Sequence, residues 1–249
     1  MKTGVKIALF AVLFSAALCG SASAQAIPKI SLEVGQSTDP GDLSTTLQIV
    51  ILLTVLTLAP SIILMMTSFI RMVIVFGFLR QAIGTQQLPP NQLLMSLALI
   101  LTFFIISPVA NQAYNDGLKP YLDEKITINE AFDKGIAPFR EFMMAQVDEK
   151  DLALFVNLSG MEQPEKPDDI PLHILIPSFM ISELRTGFEI AFLIFIPFLV
   201  IDMIVASVLM SMGMMMLPPI MVALPFKILL FVLVDGWYLL VQSLVQSFY

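Results

Sequence analysis

The chain has 249 residues, of which 57% are hydrophobic and only 13% charged, with a formal net charge of −7. So apolar a composition excludes an ordinary soluble globular protein and indicates a membrane protein. The acidic balance, together with the absence of any basic patch in the sequence, excludes a nucleic-acid-binding protein.

The first 24 residues have the pattern of a secretory signal peptide. Two lysines precede a short apolar stretch, and Ala22-Ser23-Ala24 supplies a small-residue cleavage site. We therefore expect the mature chain to begin at Gln25, with an uncleaved N-terminal anchor as the alternative. Cys19, the only cysteine, would leave with the signal peptide, so the mature chain could form no disulfide. Residues 25–46 are polar and are predicted to form a flexible leader.

Residues 47–116 are predicted to form a first apolar helical hairpin. Residues 47–70 carry no charge and are long enough to cross a bilayer of roughly 30 Å. Arg71 and Arg80 follow without an acidic residue between them. By the positive-inside rule, the segment that carries these two arginines is interpreted as a cytoplasmic loop.

Residues 117–171 are predicted to form an acidic, extracytoplasmic helical segment, because acidic residues outnumber basic ones there. The apolar spacing predicts two amphipathic helices with a loop near residues 145–148. Phe139, Phe142 and Phe155 give the segment more apolar surface than a solvated loop needs. We therefore expect these three side chains to make subunit contacts.

Residues 172–249 are predicted to form a second apolar helical hairpin with a methionine loop at its tip. The loop contains Met214, Met215 and Met216 between Gly213 and Pro218-Pro219. Proline stops a helix, and methionine is flexible and polarizable, so the sequence predicts a soft apolar loop. Ordinary apolar packing is the alternative interpretation of the methionines.

Six charged residues lie in or beside the apolar segments of this second hairpin. They are Glu183, Arg185, Glu189, Asp202, Lys227 and Asp235. Charges are costly in lipid, so each is expected to face protein or water and to serve assembly or lie buried within it. Arg185 and Glu189 are four residues apart and are predicted to pair on one helix. A relay of buried charges in a small-solute or ion transporter is the alternative function.

Two chemical interpretations receive little support from the residues. Asp202 and Asp235 could face each other as in a diaspartyl intramembrane protease, but the Gly-x-Gly-Asp context is absent and Lys227 is a nearby partner. Thioethers can bind Cu(I), but the mature chain would lack cysteine, and its one histidine, His173, is distant in sequence. We therefore expect neither an enzyme nor a bound cofactor or metal.

Several motifs in combination carry a resemblance to a known family. They are Gln86-Gln87-Leu88-Pro89-Pro90, Ile194-Phe195-Ile196-Pro197-Phe198, Gly213-Met214-Met215-Met216, Leu224-Pro225-Phe226-Lys227 and Val234-Asp235-Gly236-Trp237. From about residue 47 to the end, the chain closely resembles the FliP family, the core subunit of the flagellar type III export gate.

The resemblance implies an all-α, membrane-associated subunit of a hetero-oligomeric helical export gate. Its helical hairpins would pack against sister copies and against FliQ-like and FliR-like subunits, largely lifted out of the bilayer plane. The gate would pass unfolded flagellar proteins across the bacterial inner membrane at the basal body, with other export apparatus proteins supplying energy. The resemblance places the pore constriction at Met214, Met215 and Met216 and requires no catalytic residue or cofactor.

Overall fold

The structure, a computed structural model, describes residues 40–85, 88–161, 169–214 and 216–248, with side chains from residue 47 onward. Within these ranges the chain is helical and has no β-strand, which confirms the predicted all-α fold. The predicted signal peptide, the leader up to residue 39, and Met215 lie outside the described residues.

The described helices follow one another with short connections. In chain order they are α1 (Pro40–Met65), α2 (Phe69–Ile83), α3 (Asn91–Ala113), α4 (Lys119–Leu122), α5 (Ile128–Gln146), α6 (Glu149–Ser159), α7 (Leu172–Ser211), α8 (Pro219–Leu233) and α9 (Gly236–Gln246). A π-helical turn, Tyr114–Leu118, joins α3 directly to α4. The described residues divide into two units between residues 52 and 53, inside α1.

The acidic segment forms its helices for local reasons that can be read in the sequence. Thr127 precedes α5, and Thr127 and Glu130 form a capping box: each side chain accepts from the other residue's backbone N–H. The break between α5 and α6 falls at Val147 and Asp148, inside the predicted loop region. Asp148 begins α6 by accepting a hydrogen bond from the Lys150 backbone N–H at 2.9 Å.

Two apolar clusters hold residues 53–249 together. The larger lies where α2 packs along α7, with α3 and α9 adding side chains, and its fully buried members include Met72, Val75, Phe76 and Leu244. The second lies between α5, α6 and the N-terminal half of α7. Its buried members are Met66, Met143, Val156, Ile170, Ile174, Leu175 and Phe179. Burial of apolar surface in these clusters drives the helices together.

Three helical stretches are long and apolar enough to cross a membrane: residues 47–65, residues 91–122 and all of α7. Helices α8 and α9 meet at a bend of 63° and would make a fourth as one broken span. With a rise of about 1.5 Å per residue, the 40 residues of α7 extend over roughly 60 Å. That is about twice the ~30 Å hydrocarbon core of a bilayer, so α7 is longer than a membrane crossing along the bilayer normal requires.

Two predicted boundaries need correction. The helix α1 already begins at Pro40, so residues 40–46 of the predicted flexible leader are helical. Arg71 and Arg80 do not lie in a loop, because both belong to the helix α2. Arg71 is also buried and paired, as described below, and so contributes no free charge to a positive-inside argument. The apolar residues on both sides of each arginine belong to the same helix, so neither arginine marks a helix end.

Candidate functional site

Arg71, in the first turn of α2, is the centre of a buried polar cluster and is 2% exposed. Its Nε–H donates to Glu183 Oε2 at 2.9 Å, and its Nη2 donates to Glu183 Oε1. Nη1 donates to the backbone oxygen and Oγ of Ser247 at 3.1 and 2.9 Å. Nη2 also donates to Gln146 Oε1 at 3.1 Å. These five bonds match the five N–H groups of a guanidinium, so the buried cation is fully satisfied.

The Arg71 cluster joins four helices that are distant in sequence. Glu183 comes from α7, Gln146 is the last residue of α5, and Ser247 directly follows α9. The guanidinium carbon also lies 3.7 Å from the centroid of the Phe248 ring, a cation–π contact. Gln146 Nε2 donates to the Phe248 carbonyl oxygen at 3.2 Å. The Arg71 cluster therefore fixes the position of the C-terminal helix α9 relative to α2, α5 and α7.

Arg185 forms a second polar cluster, with the turn between α5 and α6. Its Nη1 lies 3.0 Å from Asp148 Oδ2 and its Nη2 lies 2.5 Å from Asp151 Oδ1. Asp151 is buried and also accepts from Ser182 Oγ at 2.9 Å. The predicted Arg185–Glu189 pair is wrong: Glu189 is exposed and takes part in no ion pair among the described residues. Arg185 instead pairs with two carboxylates at the start of α6, Asp148 and Asp151.

The pKa of Asp148 is held below its ordinary value in this cluster. The main cause is the hydrogen bond from the Lys150 backbone N–H, and the nearby Arg185 guanidinium adds to it. Both favour the ionised carboxylate. Asp148 therefore does two things at once, because it caps α6 and pairs with α7.

Lys227, on α8, forms a third cluster and is 5% exposed. Its Nζ donates to Asp202 Oδ2 at 2.6 Å and to the Ala82 carbonyl oxygen at 3.0 Å. Asp202 lies on α7, and Ala82 lies in the last turn of α2, where helix carbonyls have no intrahelical partner. The ammonium group thus links three helices. Asp202 Oδ1 is shielded from solvent and has no hydrogen-bond partner among the residues that the structure describes.

Asp202 and Asp235 are not brought together as a catalytic pair. Asp202 pairs with Lys227, while Asp235 is exposed at the bend between α8 and α9. Its backbone is left-handed, with φ of 52° and ψ of 54°. No hydrogen bond joins the two carboxylates in the described part of the chain. The six charged residues singled out from the sequence therefore divide into four paired side chains and two exposed carboxylates, Glu189 and Asp235.

The methionines between α7 and α8 lie in a turn whose ends are set by local chemistry. The backbone N–H groups of Met214 and Gly213 donate to the carbonyls of Leu209 and Met210 at 3.0 and 3.1 Å. This is a Schellman motif, with Gly213 at the left-handed position (φ of 75°) that ends α7. Pro219 opens α8 at its first position, where its missing N–H costs nothing. The predicted loop therefore exists at residues 212–218, and we call it the methionine turn.

The described methionine side chains of the methionine turn are exposed. Met216 is 98% exposed and Met214 is 40% exposed. Met212 and Leu217 are also exposed apolar side chains. These four groups gain nothing by facing water, so the described part of this turn presents a surface for something other than bulk solvent. The role of Met214, Met215 and Met216 as a pore constriction stays a prediction.

Phe139, Phe142 and Phe155 are half-buried within the chain itself. All three pack on the second apolar cluster. Phe142 also lies edge-on to Phe179 at 6.0 Å and stacks on Phe248 at 6.1 Å between ring centroids. The argument that they form a free apolar patch is therefore wrong, while their role in subunit contacts remains an untested prediction. The largely exposed apolar side chains of this segment are others, among them Phe132 and Leu158.

Sequence reasoning missed the partners of the paired charges. The sequence alone does not single out Gln146, Ser247, Asp148 or Asp151, and it predicts a loop position for Arg71. One signal was available: an arginine between apolar stretches needs an acidic partner, and Glu183 is one of only four acidic residues among residues 172–249. No sequence signal distinguishes Gln146 or Ser247, because their role comes only from the packing of distant helices.

Together these features define an all-α membrane protein that pairs its buried charges internally and carries an exposed methionine turn between two of its apolar helices. The chain belongs to the FliP family, whose family model matches residues 52–244. Membership of this family makes it a component of the flagellar export apparatus rather than an enzyme.

Curated relatives match the chain over most of its length. It is 55% identical over 217 residues to the flagellar biosynthetic protein FliP of Bacillus subtilis (strain 168), covering 87% of this chain and 98% of that protein. It is 51% identical over 243 residues to the protein of the same name from Caulobacter vibrioides, covering 98% and 91%. The protein from Pectobacterium carotovorum is 52% identical over 204 residues, covering 82% and 79%.

Proposed function

We propose that this chain is a core, pore-forming subunit of the flagellar type III protein export gate, which passes unfolded flagellar proteins across the inner membrane. The observation that carries the proposal is the methionine turn: an apolar turn, fully exposed at Met216, held between two long apolar helices. In an assembly of several copies, such turns would meet around a central axis and form a seal.

The chemistry of the turn suits a channel for varied, unfolded substrates. A thioether is apolar, flexible and polarizable, and it makes no demanding hydrogen bonds. A ring of such side chains can close on itself against ions. It can also deform around any passing side chain, as promiscuous binding surfaces rich in methionine do. Neither the closed ring nor the ring deformed around a substrate depends on a hydrogen bond from a methionine side chain.

The paired charges argue against the alternative of a small-solute or ion transporter. A relay needs titratable groups that can exchange partners along a path. Arg71 instead uses all of its N–H donors, and Arg185 and Lys227 are each held by at least two acceptors from distant elements. These bonds hold the charged side chains in place, which supports a structural role for them and not a relay.

The finer features of the assembly belong to the same proposal. Sister copies and FliQ-like and FliR-like subunits would cover the exposed apolar faces of α1, α3, α7 and α8, forming a hetero-oligomer. The gate would lie at the flagellar basal body, with residues 117–171 outside the cytoplasm. Residues 1–24 would be a cleaved signal peptide, and residues 47–116 and 172–249 would form the two hairpins.

Replacement of Met214, Met215 and Met216 by alanine tests the proposal. Assembly should survive, while resting leakage of small ions rises because three shorter side chains open the constriction. Export, followed as motility of the same strains, should continue at least in part. Replacement of the same residues by leucine, which is similar in volume, should preserve the seal better and serves as the matched control. An alanine variant that assembles and leaks no more than the unmodified protein would contradict the seal.

A further inference from the structure

The ion pair between Lys227 and Asp202 lies at the base of the methionine turn. Asp202 is nine residues before the end of α7, and Lys227 is eight residues after the start of α8. At about 1.5 Å per residue, both ends of the pair lie on the order of 13 Å from the turn along their helices. The pair therefore bridges the two helices that carry the methionines, at matching distances from the tip.

Apolar packing between the pair and the turn is incomplete. A groove of about 410 Å³ lies there between α7 and α8, lined by aliphatic side chains such as Val205, Val208 and Val222, and by Phe226. Interdigitated side chains normally fix how two helices are placed along each other, and a groove of this size weakens that constraint next to the turn. Aliphatic contacts alone would hold α8 on α7 less firmly along this stretch.

The bonds of Lys227 add a second, directional constraint. Its ammonium group donates to a carboxylate on α7 and to the Ala82 carbonyl at the end of α2. Those two acceptors belong to helices that are themselves packed along each other in the larger apolar cluster. A buried lysine is costly compared with an apolar residue, so the pair contributes geometric specificity more than stability. Hydrogen bonds are directional, whereas apolar contacts are not.

We propose that Lys227 and Asp202 are positioning residues that set the register of α8 on α7 and thereby hold the methionine turn in its sealing position. The expected effect on ion leakage rests on the proposed function, in which the methionine turn is a seal. The register itself is a property of the helices flanking the turn and can be measured separately.

Spin labels on either side of the turn test the register. Met210 and Ile220 are exposed, so cysteines at both positions, with Cys19→Ser, can be labelled without disturbing the core. In assembled complex diluted with unlabelled subunits, pulsed electron paramagnetic resonance should give one narrow distance distribution. Lys227→Met should broaden it and raise resting ion leakage several-fold. Lys227→Arg, which keeps a donor for both acceptors, should restore the narrow distribution and the low leakage.

Two further variants keep the test decisive. Asp202→Asn keeps the shape of the side chain and loses its charge, so it should broaden the distribution less than Lys227→Met does. Lys125→Met removes a lysine from an exposed ion pair with Asp123 and should change nothing. A narrow distribution in assembled Lys227→Met would overturn the proposal, as would a failure of both Lys227→Met and Asp202→Asn to assemble. A broadened distribution without leakage would support the positioning role and count against the seal itself.

Discussion

At the scale of single residues, the chain pairs the charged groups that it buries among its apolar helices. Arg71 shows the fullest pairing, with five bonds to three residues from three other parts of the chain. Such a pair contributes little net stability compared with apolar residues of the same shape. Its loss on one side is costly, because the remaining charge stays buried.

Glu183→Ala should therefore destabilise the folded chain strongly, by about 3–5 kcal/mol, since Arg71 loses its only carboxylate. The measurement is the yield and thermal unfolding of the purified complex. Glu189→Ala removes an exposed carboxylate six residues further along the same helix and should have little effect. Normal yield and unfolding temperature with Glu183→Ala, combined with a loss of export, would instead give Glu183 a role in gating.

Asp148 should make stability depend on pH in the acid range. Its folded-state pKa lies below the ordinary aspartate value of about 3.9, because of the Lys150 N–H and Arg185. The stabilisation is complete well above that value and is lost as the pH falls through the folded-state pKa. Asp148→Asn should thus lower the unfolding temperature at pH 7, with a difference that shrinks below about pH 4. Glu141→Gln, at an exposed position, provides the control, and a difference independent of pH would refute this account.

At the scale of elements, the π-helical turn Tyr114–Leu118 shows how one small residue allows two helices to approach closely. Gly117 faces α5, and a Cβ built on it would lie 2.7 Å from the Ala131 carbonyl oxygen and 2.8 Å from the Gly135 Cα. Both are backbone atoms, which cannot rotate away as a side chain can. The close packing of α5 on the stretch from α3 to α4 therefore requires glycine at 117.

Gly117→Ala should push these helices apart and destabilise the acidic segment by about 1–3 kcal/mol, the usual cost of overpacking. Gly135→Ala is a control on the same interface, because its nearest neighbour, the Ala113 carbonyl oxygen, would be 4.0 Å from the new Cβ. That control should be neutral or stabilising by up to about 1 kcal/mol, because alanine favours the helix. Hydrogen exchange of α5 reports the difference, and equal exchange in the two variants would contradict the packing described.

The sequence predicts most of the helices, but it does not predict which charged side chains pair between them. The apolar runs predict the long helices, and the Gly213 and Pro218-Pro219 signals predict the turn between α7 and α8, as the structure shows. The pairing of Arg185 with Asp148 and Asp151 could not be predicted, since it depends on α6 folding back onto α7. Local spacing favoured Glu189, and a tertiary contact overrode it.

At the scale of the whole molecule, the exposed surface is the main clue to how the chain works. Apolar side chains remain exposed along α1, α3, α7 and α8, and only 11% of the most apolar window of α7 is buried. Since α7 is longer than a bilayer is thick, lipid alone cannot cover it. Neighbouring subunits would cover the remainder, which is the arrangement that an export gate requires.

The central claim is that the methionine turn lines the path of the exported protein. A photo-crosslinking amino acid at position 216, in an assembled gate holding a stalled flagellar substrate, tests it most directly. The same group at Phe132, which is 63% exposed on α5, serves as the control position. We expect crosslinks to the stalled substrate from position 216 and none from position 132. Absence of crosslinks from position 216 while the substrate is engaged, or equal crosslinking from both positions, would contradict the account.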